Sequence, residues 1–187
     1  LAEARRTHPA LEQVVLRIGT ILGETVANQI TALFDKPRPL AVAGSDSPFV
    51  FIWDQDVVGC ILHAVSGGPA GLYNVAGDGV VTLTQAIRRL GHIQMPVPKG
   101  LLAPITGVFQ DLRSAKLRSS QTDYLTYGRV LDTTRMRTKF GFTPHYTTDQ
   151  TLEDFIRRGS SSPVIGADTW RGLEHRVVSA AHRLVEV

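Results

Sequence analysis

The stretch FVFIWDQDVVGCILHAVSGGPAGLYNVAGDGVVTL, Phe49 to Leu83, decides the fold. Phe49-Val50-Phe51-Ile52 is an apolar run too short for a helix and rich in β-formers, so it predicts a strand. Asp54 follows, and its side chain can accept from the free N–H groups of a helix's first turn. Val57, Val58, Ile61, Leu62 and Val65 then recur at helical spacing, and Gly67-Gly68-Pro69 ends the helix. Leu72 to Ala76 reads as a second strand, and a Gly77-Asp78-Gly79 turn leads to a helix from Thr82 to Leu90. Strand, helix, strand, helix with short turns is the grammar of an α/β protein.

Working outward, Val14 to Ile18 is a short buried strand, and Gly19 to Gly23 is the loop that leaves it. Ligands of open α/β sheets bind beyond the carboxyl ends of strands, so this loop is where chemistry is expected. A helix is predicted from Thr25 to Asp35, with Val26, Ile30, Leu33 and Phe34 on one face, and a brief strand from Leu40 to Ala43. Leu101, Leu102, Ile105, Val108, Phe109 and Leu112 mark a longer helix. A short helix follows Asp132 and ends at Gly141, and another runs from Thr151 to Arg158. Residues 159–168 read as the linker and 169–187 as an amphipathic tail helix, which must bury its stripe on this chain or on another copy.

The bulk properties exclude several classes. A formal charge of +3 over 187 residues lacks the basic stripe of a nucleic-acid binder. No apolar run approaches the roughly 18 residues of a membrane span. The single cysteine, Cys60, excludes an intramolecular disulfide framework and leaves the compartment open, with a cytoplasmic location favoured.

Candidate chemistry is sparse. Gly77-x-Gly79-x-x-Thr82 has the position of a dinucleotide fingerprint but lacks its third glycine. Pro98 and Lys99 stand where the ribose-binding acid belongs, so a tight turn is the better reading. The six histidines form no metal-ligand spacing with Cys60 or with one another, and no metal is expected. Cys60 reads as a small core residue, and Asp54 and Asp56 as acids favoured at a helix start. Arg113, Lys116 and Arg118 cluster at a helix end, where cations suit the dipole.

Four pieces together resemble one family, the extended short-chain dehydrogenase/reductases of the NAD-dependent epimerase/dehydratase group, in a UDP-glucose 4-epimerase-like form. Leu16-Arg17-Ile18-Gly19-Thr20-Ile21-Leu22-Gly23 resembles its "L-R-P-x-N-x-Y-G". Phe51-Ile52-Trp53-Asp54-Gln55-Asp56-Val57 is similar to "F-I-H-V-D-D-V", and Leu72-Tyr73-Asn74-Val75-Ala76-Gly77-Asp78-Gly79 to "Y-N-V-G-G-G". Asp132-Thr133-Thr134-Arg135 through Phe140-Gly141-Phe142-Thr143-Pro144 is similar to "D-x-S-K-A…L-G-W-x-P".

The resemblance implies that residues 1–158 are the C-terminal part of a Rossmann-like doubly wound sheet plus a small substrate-binding region. It implies NAD or NADP as cofactor of the intact parent and a nucleotide-sugar or related small molecule as substrate. By position, Ile18, Gly19 and Thr20 would edge the nicotinamide pocket. Phe49 stands where the family commonly places a diphosphate-gripping arginine, and Arg118 and Arg129 lie within reach of the second such contact. The family's glycine-rich loop and Tyr-x-x-x-Lys pair have no counterpart here: none of Tyr73, Tyr124, Tyr127 or Tyr146 has Lys four residues later.

The chain is therefore expected to be a C-terminal fragment without catalytic residues of its own. It should partner a missing N-terminal half, form homo-oligomers, and by itself neither bind NAD tightly nor turn over substrate. The rival expectations are a non-catalytic dinucleotide-binding sensor and an oligomeric interaction module.

Overall fold

The computed structural model describes residues 1–36, 38–97 and 126–159. The helix expected around 101–112, Arg118 with its basic neighbours, almost all of the linker and the tail helix lie outside the described residues. In chain order the elements are α1 (Ala2–Thr7), β1 (Val14–Ile18), β2 (Thr20–Leu22), α2 (Gln29–Phe34), β3 (Leu40–Val42), β4 (Pro48–Phe49), β5 (Phe51–Trp53), α3 (Asp54–Val65), β6 (Gly71–Val75), β7 (Val81–Thr82), α4 (Leu83–Arg89) and β8 (Met95–Val97). A π-helical segment, Met136–Phe140, and a last helix, here α5 (Thr148–Arg157), complete the described chain.

The elements divide into two compact units. The first comprises Leu1–Asn28, Pro48–Val81 and Arg129–Phe155, and the second Gln29–Ser47, Thr82–Gly128 and Ile156–Val187. In the first, β1 runs parallel to β6, Val14 opposite Gly71 through Ile18 opposite Val75. β2 runs parallel to β5, Thr20 opposite Phe51 through Leu22 opposite Trp53. In the second, β3 runs parallel to β8. Parallel pairs with intervening helices are α/β construction, as the alternation of Phe49–Leu83 predicts.

The core of the first unit is built from Ile52, Val57, Cys60, Tyr73, Val75, Met136, Phe140 and Phe142, with Val14, Leu16, Ile18, Ile21 and Ala64 packed against it. Tyr73 stacks on Phe140 at 4.5 Å between centroids, and the Tyr73 hydroxyl donates to the Pro69 carbonyl at 3.1 Å. Gly141 ends the π-helical segment at φ +77°, the left-handed conformation that favours glycine. Two helices open on capping boxes. The Thr82 hydroxyl accepts from the Gln85 N–H while the Gln85 side chain accepts from the Thr82 N–H, and Thr147 with Gln150 repeats the exchange at α5.

Three expectations are corrected. The loop drawn over Gly19–Gly23 contains a strand, because Thr20–Leu22 finds a partner in β5. The helix expected from Thr25 forms only from Gln29. The preceding turn is held instead by Asn28 Nδ2 donating to the Ile21 carbonyl at 2.7 Å, and by Val26 N–H donating to the Gly23 carbonyl. The third correction concerns α3. Val57 is buried, but Val58, Ile61, Leu62 and Val65, grouped with it at helical spacing, are exposed.

Candidate functional site: the junction at the carboxyl end of strand β1

At Gly19 the backbone changes partners. Ile18 still pairs with Val75 of β6, the Gly19 N–H donates to the Val75 carbonyl at 2.8 Å, and the Thr20 N–H turns to the Val50 carbonyl at 3.3 Å. A Cβ at Gly19 would lie 3.3 Å from Ala76 Cβ and 3.4 Å from Val50 Cγ2, so the missing side chain lets three backbone segments converge. Strand β6 makes the matching move, for the Gly77 N–H donates to the Phe51 carbonyl at 2.8 Å. A Cβ at Gly77 would sit 2.7 Å from Thr148 N and 2.9 Å from Phe51 O.

Thr148, at the start of α5, closes this junction. Its buried hydroxyl accepts from Phe51 N–H at 3.2 Å and donates to the Gly77 carbonyl at 3.0 Å. The Gly77-x-Gly79 pattern is thus split between two jobs. Gly77 is wedged against α5, while Gly79, at φ +84°, turns the chain in open space.

Of the residues implicated by sequence, Ile18, Gly19 and Thr20 form the handover at the end of β1, with Gly19 buried and its neighbours half-buried. Phe49 and Arg129, 80 positions apart in the numbering, come together through backbone pairing. Arg129 N–H donates to the Pro48 carbonyl at 2.8 Å, and Val50 N–H to the Arg129 carbonyl at 3.2 Å. The Phe49 ring is buried and stacks near Phe51 at 6.3 Å, whereas Arg129 is exposed.

Several polar ties escaped the sequence reading. Asp56, fully buried, accepts from His145 N–H at 2.9 Å, from Tyr146 N–H at 3.1 Å and shares a 2.7 Å contact with His145 Nδ1. It is therefore a long-range anchor as well as a helix-start acid. Asp54 is the first residue of α3 and its carboxylate accepts from the Gln55 N–H at 2.8 Å, as expected of a helix-start acid, while the cap position itself falls on Trp53, whose ring stacks on Tyr146 at 4.5 Å. Asn74 Nδ2 donates to the Asp132 carbonyl at 2.9 Å, tying two of the family-like pieces together. Hydrogen bonds from the Thr134 hydroxyl and then from its N–H hold the Asp132 carboxyl below its ordinary range. Arg137 pairs with Asp78, and the Arg135 guanidinium lies 5.8 Å from the centroid of Tyr73. The Thr-x-x-Gln spacings at 82–85 and 147–150 were readable signals. The Asp56 anchor, 89 residues from its partner, had none.

Burial, and then the charge of Asp56, pushes the Cys60 thiol up to about 11. Cys60 is thus a protonated core side chain rather than a nucleophile. Among the described residues no group of three or more His, Cys, Asp or Glu side chains is placed to hold a metal ion. No helix among them is long and apolar enough to cross a membrane.

No protein-family model matches the chain. The Mycobacterium tuberculosis H37Rv protein Rv0501, an uncharacterized protein, is 32% identical over 178 residues, covering 95% of this chain and 47% of its own length. Rv2047c of the same strain, also uncharacterized, is 25% identical over 150 residues, covering 78% of this chain and 16% of its own length. The chain spans about half the length of the first of these curated relatives, 47%.

Among solved structures, the UDP-glucose 4-epimerase of Thermotoga maritima with UDP-glucose superposes with a TM-score of 0.57 at 16% identity, over 84% of this chain and 48% of that one. The Bordetella bronchiseptica enzyme WbmG in complex with NAD and UDP gives 0.57 at 16% identity, over 87% and 48%. The dTDP-glucose 4,6-dehydratase of Bacillus anthracis in complex with NAD gives 0.57 at 15% identity, over 84% and 47%. The chain has a Rossmann-like α/β fold, similar to the fold of these solved enzymes.

Proposed function

We propose that this chain is the C-terminal portion of an NAD(P)-dependent epimerase/dehydratase-like enzyme that acts on a sugar-nucleotide or related substrate. The observation that carries the reading is the handover at Gly19. It lies at the carboxyl end of a parallel strand, where α/β sheets receive their ligands. The residues there fit a flat heteroaromatic ring. Ile18 offers an apolar edge and Thr20 a hydroxyl, both half-buried, while Gly19, packed by Ala76 and Val50 where its side chain would be, sets the backbone between them.

The nicotinamide, when bound, supplies hydride chemistry. This chain's own part is to form one wall of the pocket and to orient substrate. Arg129, held beside Phe49 by its backbone, is the described cation for a substrate diphosphate, and Arg118 is proposed for the second contact. A guanidinium suits that role because its fork matches phosphate oxygens. The chain carries no Tyr-x-x-x-Lys, so proton transfer at the reacting hydroxyl belongs to residues outside it.

Calorimetry tests the division of labour. The 187-residue chain alone should give no tight NAD isotherm, and a tight 1:1 isotherm would overturn the proposal. The polypeptide extended to the relatives' length should bind NAD, and Gly19→Val should weaken that binding by at least about tenfold through the Ala76 and Val50 crowding.

A further inference from the structure

Helix α3 is apolar on two sides. Val57, Cys60 and Ala64 pack into the core of the first unit. Val58, Ile61, Leu62 and Val65 recur at i, i+3, i+4 and i+7 on the other side and are 50%, 46%, 61% and 82% exposed. Single exposed aliphatic residues are ordinary, but four on two successive turns make a continuous stripe. A helix apolar all round is normally covered all round. From Gln55 to Val65 its one acid, Asp56, is buried and its one histidine, His63, is bonded to the Phe140 carbonyl, so no charge interrupts the stripe.

A second feature of the same unit agrees. Strand β1 is only half-buried at Val14, Val15, Leu16 and Ile18. Parallel sheets are as a rule covered on both faces, and a two-stranded piece is too small to stand alone. More than half of Rv0501, of which 47% is matched, is polypeptide with no counterpart in this chain.

We propose that the outer stripe of α3 is an interface within a longer polypeptide, the seat of an apolar face from that additional part. This rests on the proposed function, which makes the chain a portion of a larger enzyme. A second copy is the weaker occupant. The stripe runs from Val58 to Val65, seven rises of 1.5 Å or about 10 Å of helix. Four partly exposed aliphatic side chains on that length offer far less surface than the roughly 1,200–2,000 Å² a stable complex buries. A tethered segment needs no such area, because its effective concentration is set by the tether.

The test uses the polypeptide extended to the relatives' length, with Val65→Cys labelled by a benzophenone maleimide; Cys60 is buried and so is poorly reached by the label. Irradiation and peptide mapping should place the cross-link on residues outside these 187. Cross-links chiefly between copies, or none above a label on the exposed Gln55→Cys, overturn the proposal. Ile61→Glu with Leu62→Glu, which needs no label, is the second arm. The urea midpoint of the extended polypeptide should fall, and an unchanged midpoint overturns the proposal. NAD titration of the unlabelled extended polypeptide reads the enzymatic proposal separately, so either can fail without the other.

Discussion

The two sides of helix α3 are built from the same kinds of residue and have opposite fates. Inward, Val57, Cys60 and Ala64 meet Tyr73, Phe140 and Phe142, and buried Asp56 fastens the helix start to His145 and Tyr146. Outward, Val58, Ile61, Leu62 and Val65 are exposed and no described residue covers them. Hydrophobic periodicity places both stripes on a helix without ranking them. What selects the inward side is a polar tie of long sequence separation, satisfied in place. An apolar side chain is content against any apolar cover, but a buried carboxylate needs its own donors.

The comparison breaks most sharply at Asp56. Asp56→Ala should leave the half-buried N–H groups of His145 and Tyr146 without their acceptor and cost about 2 kcal/mol. Urea unfolding of the purified variant measures it, and a loss below about 1 kcal/mol would mean that apolar packing alone seats α3. The exposed His145 ring contributes little to this sum, since solvent screens it.

A smaller effect divides the two glycines of the Gly77-x-Gly79 pattern. Gly77→Ala should cost about 2 kcal/mol, because its Cβ meets backbone atoms that have nowhere to go. Gly79→Ala meets no neighbour and should cost about 1 kcal/mol, the strain of φ +84° alone. Equal losses in thermal unfolding would erase the distinction between a wedged glycine and a turning one.

Much of the fold was legible because it is local. The strand–helix–strand order of Phe49–Leu83 needs only periodicity and punctuation, and the family-like pieces supplied the parallel Rossmann type. The rest depended on partners far away in the chain. Thr20–Leu22 is a strand because β5 lies beside it, yet its flanking Gly19 and Gly23 read as a loop. Gln29–Phe34 is shorter than its apolar pattern because Asn28 bonds back to Ile21. At the candidate site, Ile18, Gly19 and Thr20 were located by resemblance. The meeting of Phe49 with Arg129 and the closure by Thr148 appear only once the strands are paired.

Cys60 gives the finest probe of the inward side. Its folded pKa, about 11, lies above its ordinary value of 9.0 because burial and the Asp56 charge both oppose the thiolate. The unfolded chain therefore releases this proton first. The thiol's contribution is fully present below pH about 9 and is lost progressively as pH rises toward 11. Other groups titrate in the same range, so the readout is the difference between two melting profiles, that of the chain and that of Cys60→Ala. Below pH about 9 the two should run parallel, and above it the profile of the chain should fall toward that of the variant. Curves that stay parallel through pH 11 would mean that Cys60 ionises as freely as in the unfolded chain. That result would place it on a wet face, against a core in which it is walled by Ile52, Val57 and Tyr73.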